Sequence, residues 1–362
     1  MLFLYFYLIS FSLIGYGLLT SKILKINISD FGSLGILGIS FIAIISYSTS
    51  LFIKHDYLFN SLLIILGILL FFLFLKKIKN IKKEFYNFFI IFSILVVFIA
   101  VAKNHDDFPY YHFPYISILT EFSHPIGLGQ LNNGFRNPSS IFFISSIFYL
   151  PKISFYLFHI TTAFILGFAN LILLKNIFDK KIFKKSKLIN LLSLIFFVFF
   201  NIFFYRLAEH GTDRSGQILV IICIIYLLYL ITNFSDILDQ KNKDVMKFFS
   251  ISLCLLISIK PFFLIYFPLF IIFLFYEHTR KIFINLFFSK TFIFCLLLIF
   301  FTIFYTFINS GCLIFPATIT CFEKMSWFTS LDNIRDVRIW YELWSKGGAT
   351  PLFVVDNRIE YI

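Results

Sequence analysis

Charged residues are scarce in this sequence. Asp, Glu, Lys and Arg make up only 14% of its 362 residues, whereas hydrophobic residues make up 59% and the mean hydropathy is +0.90. A soluble globular fold is excluded, because such a chain would expose far too much apolar surface to water. The sequence also lacks the CxxC and CxxH spacings of common zinc sites. The stretch Gly127-Leu128-Gly129 is typical of a turn and not of a nucleotide-binding loop.

Long apolar runs fill the chain instead. A membrane-crossing helix needs about 20 apolar residues, and in lipid its backbone groups must hydrogen-bond within the segment. The sequence therefore predicts an all-α polytopic membrane protein with about ten transmembrane helices. The predicted spans are residues 2–19, 31–53, 57–75, 86–102, 155–174, 188–205, 216–232, 248–259, 262–276 and 291–308. The first is expected to be a retained helix with an external N-terminus, because no Lys or Arg precedes it and no small-residue cleavage site follows.

Lysine is concentrated in short loops between these spans. Residues 76–84 contain five lysines and residues 175–187 contain six, so both loops are predicted to face the cytoplasm. Ten spans place five loops on that side, and together these hold 19 Lys and Arg against 7 Asp and Glu. The loops are residues 21–30, 76–85, 175–187, 233–247 and 277–290. Their difference of +12 equals the net charge of the whole chain, so the basicity reports topology and predicts no nucleic-acid partner.

Two local patterns refine this topology. Gly32, Gly35 and Gly38 recur every third residue, which indicates a face where helices pack closely. Only Lys260 and Pro261 separate the eighth and ninth spans. One helix over both spans would be about 44 Å long, so a proline-broken hairpin below the outer surface is predicted. The single-helix alternative would place the C-terminal tail in the cytoplasm.

The longest polar stretch, residues 103–138, lies outside the cytoplasm on this topology. Short amphipathic helices are expected at 111–122 and 139–150, lying in the interface plane and walling a groove. The polar residues of the stretch include His105, Asp106, Asp107, His112, His124 and Arg136. A metal site formed by His105, Asp106 and His112 stays open as an alternative, because His and Asp are common metal ligands.

Other external segments add ionisable groups to the same boundary. They are Glu209, His210, Asp213 and Arg214 before the seventh span, Lys260 in the hairpin turn, and Glu323, Lys324, Trp327, Arg335 and Arg338 in the tail. No predicted span contains an Asp, Glu, Lys or Arg well inside its length. Ion-coupled transporters keep such groups near the midplane, so this absence favours chemistry at the outer surface over passage through the bilayer.

The five cysteines divide by position. Cys223, Cys254 and Cys295 lie in predicted spans and are expected to be packing residues. Cys312 and Cys321 lie in the predicted external tail, where an oxidising compartment allows a disulfide. Two unpaired thiols are the alternative.

The outer loop resembles that of the GT-C superfamily of membrane glycosyltransferases. The resemblance consists of a long first outer loop with Asp just after a span, interfacial helices behind it, and seven spans between residues 86 and 308. The Lys260-Pro261 turn is similar to the lysine-bearing turn of the aminoarabinose and protein-mannosyl branches. Three further motifs resemble the loop signature of an uncharacterised bacterial membrane family placed beside GT-C enzymes, which would cover the chain from about residue 90. They are Tyr111-His112-Phe113-Pro114, residues 125–129 (PIGLG) and residues 135–140 (FRNPSS).

The resemblance implies a function. GT-C enzymes take a sugar from a polyprenyl-phosphate donor to a glycan, lipid or protein acceptor, here at the periplasmic face of the bacterial inner membrane and in contact with membrane lipid. Asp106 or Asp107 would be the catalytic base, and we favour Asp106. Donor phosphate or substrate would be bound by His112, Arg136, Glu209, His210, Asp213, Arg214 and Lys260. No cofactor is certain, since some members use a divalent metal and others do not.

The chain also departs from the superfamily pattern. The predicted organisation is a three-helix membrane segment (1–85), a seven-helix GT-C-like module (86–308) with outer loop 103–154, and a periplasmic tail (309–362). Relatives often continue beyond such a tail, so either the acceptor-binding part is absent or the sequence is a fragment. A polysaccharide polymerase or ligase stays open as an alternative. So does a non-enzymatic glycan transporter or assembly protein, although a transporter would be expected to show internal repeats and buried polar groups.

Overall fold

A computed structural model describes residues 1–100, 107–153, 158, 160–179, 186–204, 212–232 and 240–345. The described ranges contain no β-strand beyond a single bridge between Cys312 and Cys321. The α-helices are α1 (Leu2–Ile23), α2 (Phe31–Ser50), α3 (Tyr57–Phe74), α4 (Ile81–Ala100), α5 (Phe113–Glu121), α6 (Ser140–Ile147), α7 (Ile160–Phe178), α8 (Lys187–Phe203), α9 (Thr212–Thr232), α10 (Gln240–Ile259), α11 (Leu269–Phe275), α12 (Glu277–Phe287), α13 (Lys290–Ser310) and α14 (Leu331–Ser345). Short 3₁₀ turns occupy Leu75–Lys77, Leu128–Gln130, Asn133–Phe135, Pro261–Tyr266 and Thr318–Thr320, and a π turn occupies Phe108–His112.

Seven of the described helices are long and apolar enough to cross a membrane, namely α1, α2, α3, α4, α7, α9 and α13. Two further apolar segments, α8 and Pro261–Phe275, are shorter. The remaining predicted span lies in α10, a 20-residue helix whose first turns carry charged residues. The chain is therefore a helical membrane protein, and a count of ten crossings stays a prediction.

Glycines set the spacing of the first helices. A Cβ atom on Gly38 would overlap the carbonyl oxygen of Leu13, and one on Gly35 would overlap the ring of Phe168. On the same face, a Cβ on Gly32 would lie 2.7 Å from the Phe168 carbonyl oxygen. The predicted glycine face of α2 is thus confirmed, since it lets α1 and α7 approach at backbone distance.

Contacts divide the chain into two compact units. The first contains residues 1–124 and 139–301, and the second contains residues 125–138 and 302–362. This division does not follow the predicted boundary at residue 85, because α1 packs directly on later helices. The ring centroid of Phe6 lies 5.4 Å from that of Phe92 on α4 and 5.1 Å from that of Phe164 on α7.

The lysine-rich loops of the first unit lie at one end of the helices. The Lys175 Nζ atom lies 2.7 Å from Asp30 Oδ2, and the Phe31 N–H donates to Glu84 Oε2 at 2.9 Å. Lys247 Nζ donates to the Leu24 carbonyl oxygen at 3.1 Å. Three of the five loops predicted to face the cytoplasm are thereby joined by direct hydrogen bonds, and Glu84 of a fourth bonds to Phe31, the residue that follows loop 21–30. Burial alone would raise the pKa of Asp30, but the Lys175 ammonium and two hydrogen bonds outweigh burial and lower it.

The proline-broken hairpin is present. Helix α10 ends at Ile259 and a 3₁₀ turn begins at Pro261, because proline has no N–H to continue the helix. The chain then doubles back, since the Phe249 ring lies 5.1 Å from the Phe273 ring. The single-helix alternative is therefore wrong.

Two short helices differ from expectation. The predicted cytoplasmic loop 277–290 contains α12, whose Ile282 and Leu286 are buried one turn apart while charged residues face out. Helix α5 has one buried face, as an amphipathic helix should. Helix α6 does not, because all eight of its residues are buried. The amphipathic character expected of α6 is therefore wrong, and its serines bond to α7, to α10 and to the α2–α3 loop instead.

Candidate functional site

The described part of the outer loop begins with a π turn. Pro114 has no N–H, so it cannot donate the α-helical hydrogen bond to the carbonyl of Tyr110. The preceding N–H, that of Phe113, donates to the carbonyl of Phe108, five residues earlier. The turn continues directly into α5. Such π turns are rare and often occur at functional sites.

Asp107 stands at the entrance to this turn. Its Oδ2 atom accepts a hydrogen bond from the Tyr111 hydroxyl at 3.2 Å, and both side chains are half-buried. The Tyr111 ring lies edge-on to the imidazole of His112, with centroids 4.4 Å apart. The structure thus places two predicted site residues, Asp107 and His112, on one turn. Asp106 lies outside the described residues.

Helix α6 forms the floor behind the turn. The His112 imidazole packs 4.9 Å from the Phe142 ring, and the His124 imidazole stacks 5.9 Å from the Phe143 ring. His124 Nε2 also lies 2.8 Å from the Tyr115 hydroxyl on α5. The aromatic pair of α6 therefore holds two loop histidines from one side.

A third buried histidine, His55, lies beside α6, and the sequence analysis did not identify it. His55 Nδ1 lies 2.6 Å from the Ser146 hydroxyl and Nε2 lies 2.9 Å from the Thr49 hydroxyl. Burial lowers the pKa of His55 to about 4, so its imidazole is neutral at physiological pH. Asn60 donates to the carbonyls of His55, Ser146 and Tyr149. These contacts fix the α2–α3 loop on α6 and indicate a structural role.

An ion pair joins the start of α9 to the turn that follows α10. Lys260 Nζ lies 2.6 Å from Asp213 Oδ1, and both side chains are about half exposed. Asp213 occupies the first turn of α9, where a helix favours an acidic residue. Lys260 stands at the break between α10 and the 3₁₀ turn. The predicted meeting of these two segments is therefore found.

Arg214 follows Asp213 on α9. Its Nη1 donates to Gln217 Oε1 at 3.0 Å, and its guanidinium carbon lies 5.0 Å from the centre of the Phe204 ring. Its partners are thus a neutral amide and an aromatic face. Glu209 and His210 lie outside the described residues.

Arg136 is a buried residue of the second unit. It donates to the Gly129 carbonyl at 3.0 Å and to Asn333 Oδ1 at 2.7 Å, and it lies over the Phe315 ring. Burial lowers the pKa of this guanidinium from its usual high value, which still leaves it charged. The contacts give Arg136 a structural role between loop and tail, and its binding of a donor phosphate stays a prediction.

The tail of the second unit is closed by a disulfide between Cys312 and Cys321, the pair expected from the sequence. Trp327 Nε1 donates to the Phe307 carbonyl at 3.1 Å, so this tryptophan packs against the last turns of α13. Arg335 pairs with Asp332 on the same helix. Glu323, Lys324 and Arg338 are exposed.

No group of three His, Cys, Asp or Glu side chains able to hold a metal ion occurs within the described ranges. His105 and Asp106, two members of the metal site considered from the sequence, lie outside those ranges.

Comparison with known proteins assigns the chain to a protein family. No curated protein and no solved structure matches the chain. A family model described as a domain of unknown function (DUF8201) matches residues 1–347, which is nearly the whole sequence. The chain therefore belongs to the DUF8201 family.

Proposed function

We propose that this protein is a GT-C-type membrane glycosyltransferase. It takes a sugar from a polyprenyl-phosphate donor to a glycan, lipid or protein acceptor at the periplasmic face of the bacterial inner membrane. The proposal rests on Asp107, a half-buried carboxylate held by Tyr111 at the π turn that leads into the short helices α5 and α6. A carboxylate in that position is reachable by substrate and is oriented by its neighbour.

The contacts at the lysine-rich end support the proposed sidedness. Glu84, Asp30 and Lys175 meet at the start of α4. Helix α4 has 20 residues, so its far end lies about 30 Å away. Asp107 follows that far end by seven residues. If the lysine-rich loops face the cytoplasm, the π turn opens on the opposite side of the bilayer.

The chemistry would be a single displacement assisted by a base. Asp107, or Asp106 beside it, accepts the proton of an acceptor hydroxyl, and that oxygen forms a bond to the anomeric carbon of the sugar. The bond from this carbon to the phosphate oxygen breaks, and polyprenyl phosphate leaves with the electron pair. Positioned base catalysis of this kind contributes about 10²- to 10⁴-fold in rate.

The leaving phosphate needs positive charge. Arg214 donates to a neutral amide and lies over an aromatic ring, so among the described residues its contacts leave the guanidinium charge uncompensated. Lys260 is paired with Asp213, and an incoming phosphate would compete with that carboxylate. Arg214 is therefore the stronger candidate for the phosphate, since its planar fork matches phosphate oxygens.

Gene deletion followed by analysis of surface glycans tests the proposal. The deleted strain is complemented with the wild-type chain, with Asp106→Asn, with Asp107→Asn and with both together. Asp332→Asn is the matched control, because Asp332 is 87% exposed and pairs only weakly with Arg335. We expect loss of a glycan on deletion, rescue by the control and failure of the double variant at equal membrane abundance. Unchanged glycans on deletion, or full rescue by the double variant, would remove the assignment.

A further inference from the structure

Two lysines from different segments converge on one aromatic ring. Lys22 lies at the end of α1, and its Nζ atom lies 4.8 Å from the centre of the Phe74 ring at the end of α3. Lys77, in the 3₁₀ turn after α3, places its Nζ atom 5.2 Å from the centre of the same ring. Both lysines are exposed, whereas Phe74 is half-buried. One place on the surface of the first unit therefore carries two ammonium groups.

Close packing of α1 and α3 fixes this arrangement. A Cβ atom on Gly15 would overlap the carbonyl oxygen of Gly67, so the two helices approach at backbone distance. Seven residues further along each helix, Lys22 and Phe74 reach the same level, because both helices run toward the lysine-rich end. The 3₁₀ turn is held by Ile78, which is buried directly after it. The two lysines are thus brought together by the fold and not by chance rotation of long side chains.

Among the described residues, no acidic side chain pairs with these ammonium groups. Neither Lys22 nor Lys77 forms an ion pair there. The two loops that contain them hold seven lysines but only Asp30 and Glu84 as acidic residues. Both carboxylates are already engaged, by the Lys175 ammonium and by a backbone N–H. A contact with a phenylalanine ring is weaker than a charge-assisted hydrogen bond, so the two lysines favour an anion.

The position of the two lysines selects the kind of anion. They lie at the ends of two helical segments able to cross a membrane, Leu2–Ile23 and Tyr57–Lys77, which is the level of the lipid headgroups. Close beside them, Ile23, Phe72 and Leu73 are 42%, 65% and 71% exposed, so lipid acyl chains cover these side chains. An anionic phospholipid meets the charge and the apolar surface together, whereas a soluble phosphate compound meets only the charge.

We propose that Lys22 and Lys77 bind the phosphate of an anionic phospholipid beside the Phe74 ring, in the leaflet at the lysine-rich end. The phosphate oxygens accept hydrogen bonds from both ammonium groups, and two donors that share one phosphate lie about 5–6 Å apart. Flexible lysine side chains reach that spacing from the ring they share. Basic sites between membrane helices bind anionic headgroups in this way. The lipid site does not depend on the proposed glycosyltransferase function.

Native mass spectrometry of the full chain tests this site. The detergent-solubilised protein is titrated with dioleoyl phosphatidylglycerol or with dioleoyl phosphatidylcholine, and the dissociation constant of the first bound lipid is measured. We expect the anionic lipid to bind at least about tenfold more tightly. Lys22→Gln and Lys77→Gln should each weaken its binding by about fivefold, and the double variant by about 25-fold, the effect of removing one and two lysines from an anionic lipid. Lys22→Arg/Lys77→Arg should stay within about threefold, because both positive charges remain.

Lys79→Gln/Lys82→Gln is the matched control, because it removes the same charge from loop 76–85 and both side chains are exposed. It should change the dissociation constant by less than about twofold, since salt screens charges that do not touch the lipid. Circular dichroism shows that each variant is folded. An equal loss of affinity in the control would show that the lysine-rich end attracts anions diffusely, and would overturn the site. Equal affinity for the two lipids, or unchanged binding by the double glutamine variant, would overturn it as well.

Glycerol 1-phosphate separates a lipid site from a site for soluble anions. It carries the phosphate without acyl chains, so at millimolar concentration it should leave the bound phosphatidylglycerol in place. Displacement of the lipid at that concentration would assign the two lysines to a soluble phosphate compound and would overturn the proposal.

Discussion

The ion pair of Asp30 and Lys175 offers the sharpest stability prediction. Asp30 Oδ2 lies 2.7 Å from Lys175 Nζ, the aspartate side chain is 7% exposed and the lysine side chain is 45% exposed. Asp30 also caps α2, since its Oδ1 accepts from the Ser33 N–H. Asp30→Asn keeps a good capping side chain and removes only the charge.

The expected loss of unfolding free energy follows from how deeply the ion pair is buried. Breaking a fully buried pair costs about 3–5 kcal/mol, and the exposed lysine lowers this through solvent screening. We therefore expect Asp30→Asn to lower the free energy of unfolding by about 2–3 kcal/mol. Lys175→Gln leaves a buried carboxylate without its cation and should cost at least as much. The double variant should lose about 1–2 kcal/mol less than the two single losses added.

Low pH should reproduce the loss of stability caused by Asp30→Asn, because it protonates the Asp30 carboxylate. The folded pKa of Asp30 lies below its unfolded value of about 3.9, so its stabilisation is fully present above that pH. It is lost as the pH falls through the folded pKa, and Asp30→Asn should abolish this part of the acid sensitivity. Unfolding in mixed micelles with increasing dodecyl sulfate, followed by circular dichroism, measures each variant. Additive losses in the double variant would refute the claim that the two charges interact.

Three further predictions concern other elements. Gly38→Val should prevent the close approach of α1 and α2 and cost more than about 3 kcal/mol, measured in the same micelle titration. Cys312→Ser should lower the stability of the tail by about 2–3 kcal/mol, the loop-closure value for a separation of nine residues, measured by the onset of limited proteolysis. Lys260→Met should change stability by less than about 1 kcal/mol, because its pair with Asp213 is exposed. A larger loss would show that this pair holds the hairpin together.

Long apolar runs made the helical membrane class predictable from the sequence. Seven of the described helices are at least 18 residues long and apolar, more than a soluble helix needs. Pro261 marks the hairpin because its missing N–H acts locally. The sequence analysis did not predict helix α12. Its charged residues alternate with apolar ones such as Ile282 and Leu286, and a stretch of this composition is also typical of a loop. The burial of α6 escaped because Ser145 and Ser146 count as polar in a sequence. Their hydroxyls are satisfied by Thr161 on α7 and by His55 in the α2–α3 loop.

The candidate site was predictable where its residues are close in sequence, or where the predicted topology brings the ends of two helices to one boundary, as for Asp213 and Lys260. Asp107 and His112 share one turn, so a motif identifies both. Arg136 meets Asn333 across 197 positions, and no local pattern encodes that contact. His55 is a single histidine between two spans, and its burial depends on Ser146 from a distant helix. Such contacts between residues far apart in the sequence can be recognised only once the fold is known.

The π turn at Phe108–His112 has a consequence for chains of slightly different length. It holds one residue more than an α turn, so loss of a single residue there would restore ordinary helical register. The segments on either side of the turn would then keep nearly the same phase around the helix axis, because the turn had already absorbed the extra residue. The Asp107 carboxylate would keep its direction relative to α5. The turn is therefore a point at which evolution could add or remove one residue without retargeting the carboxylate.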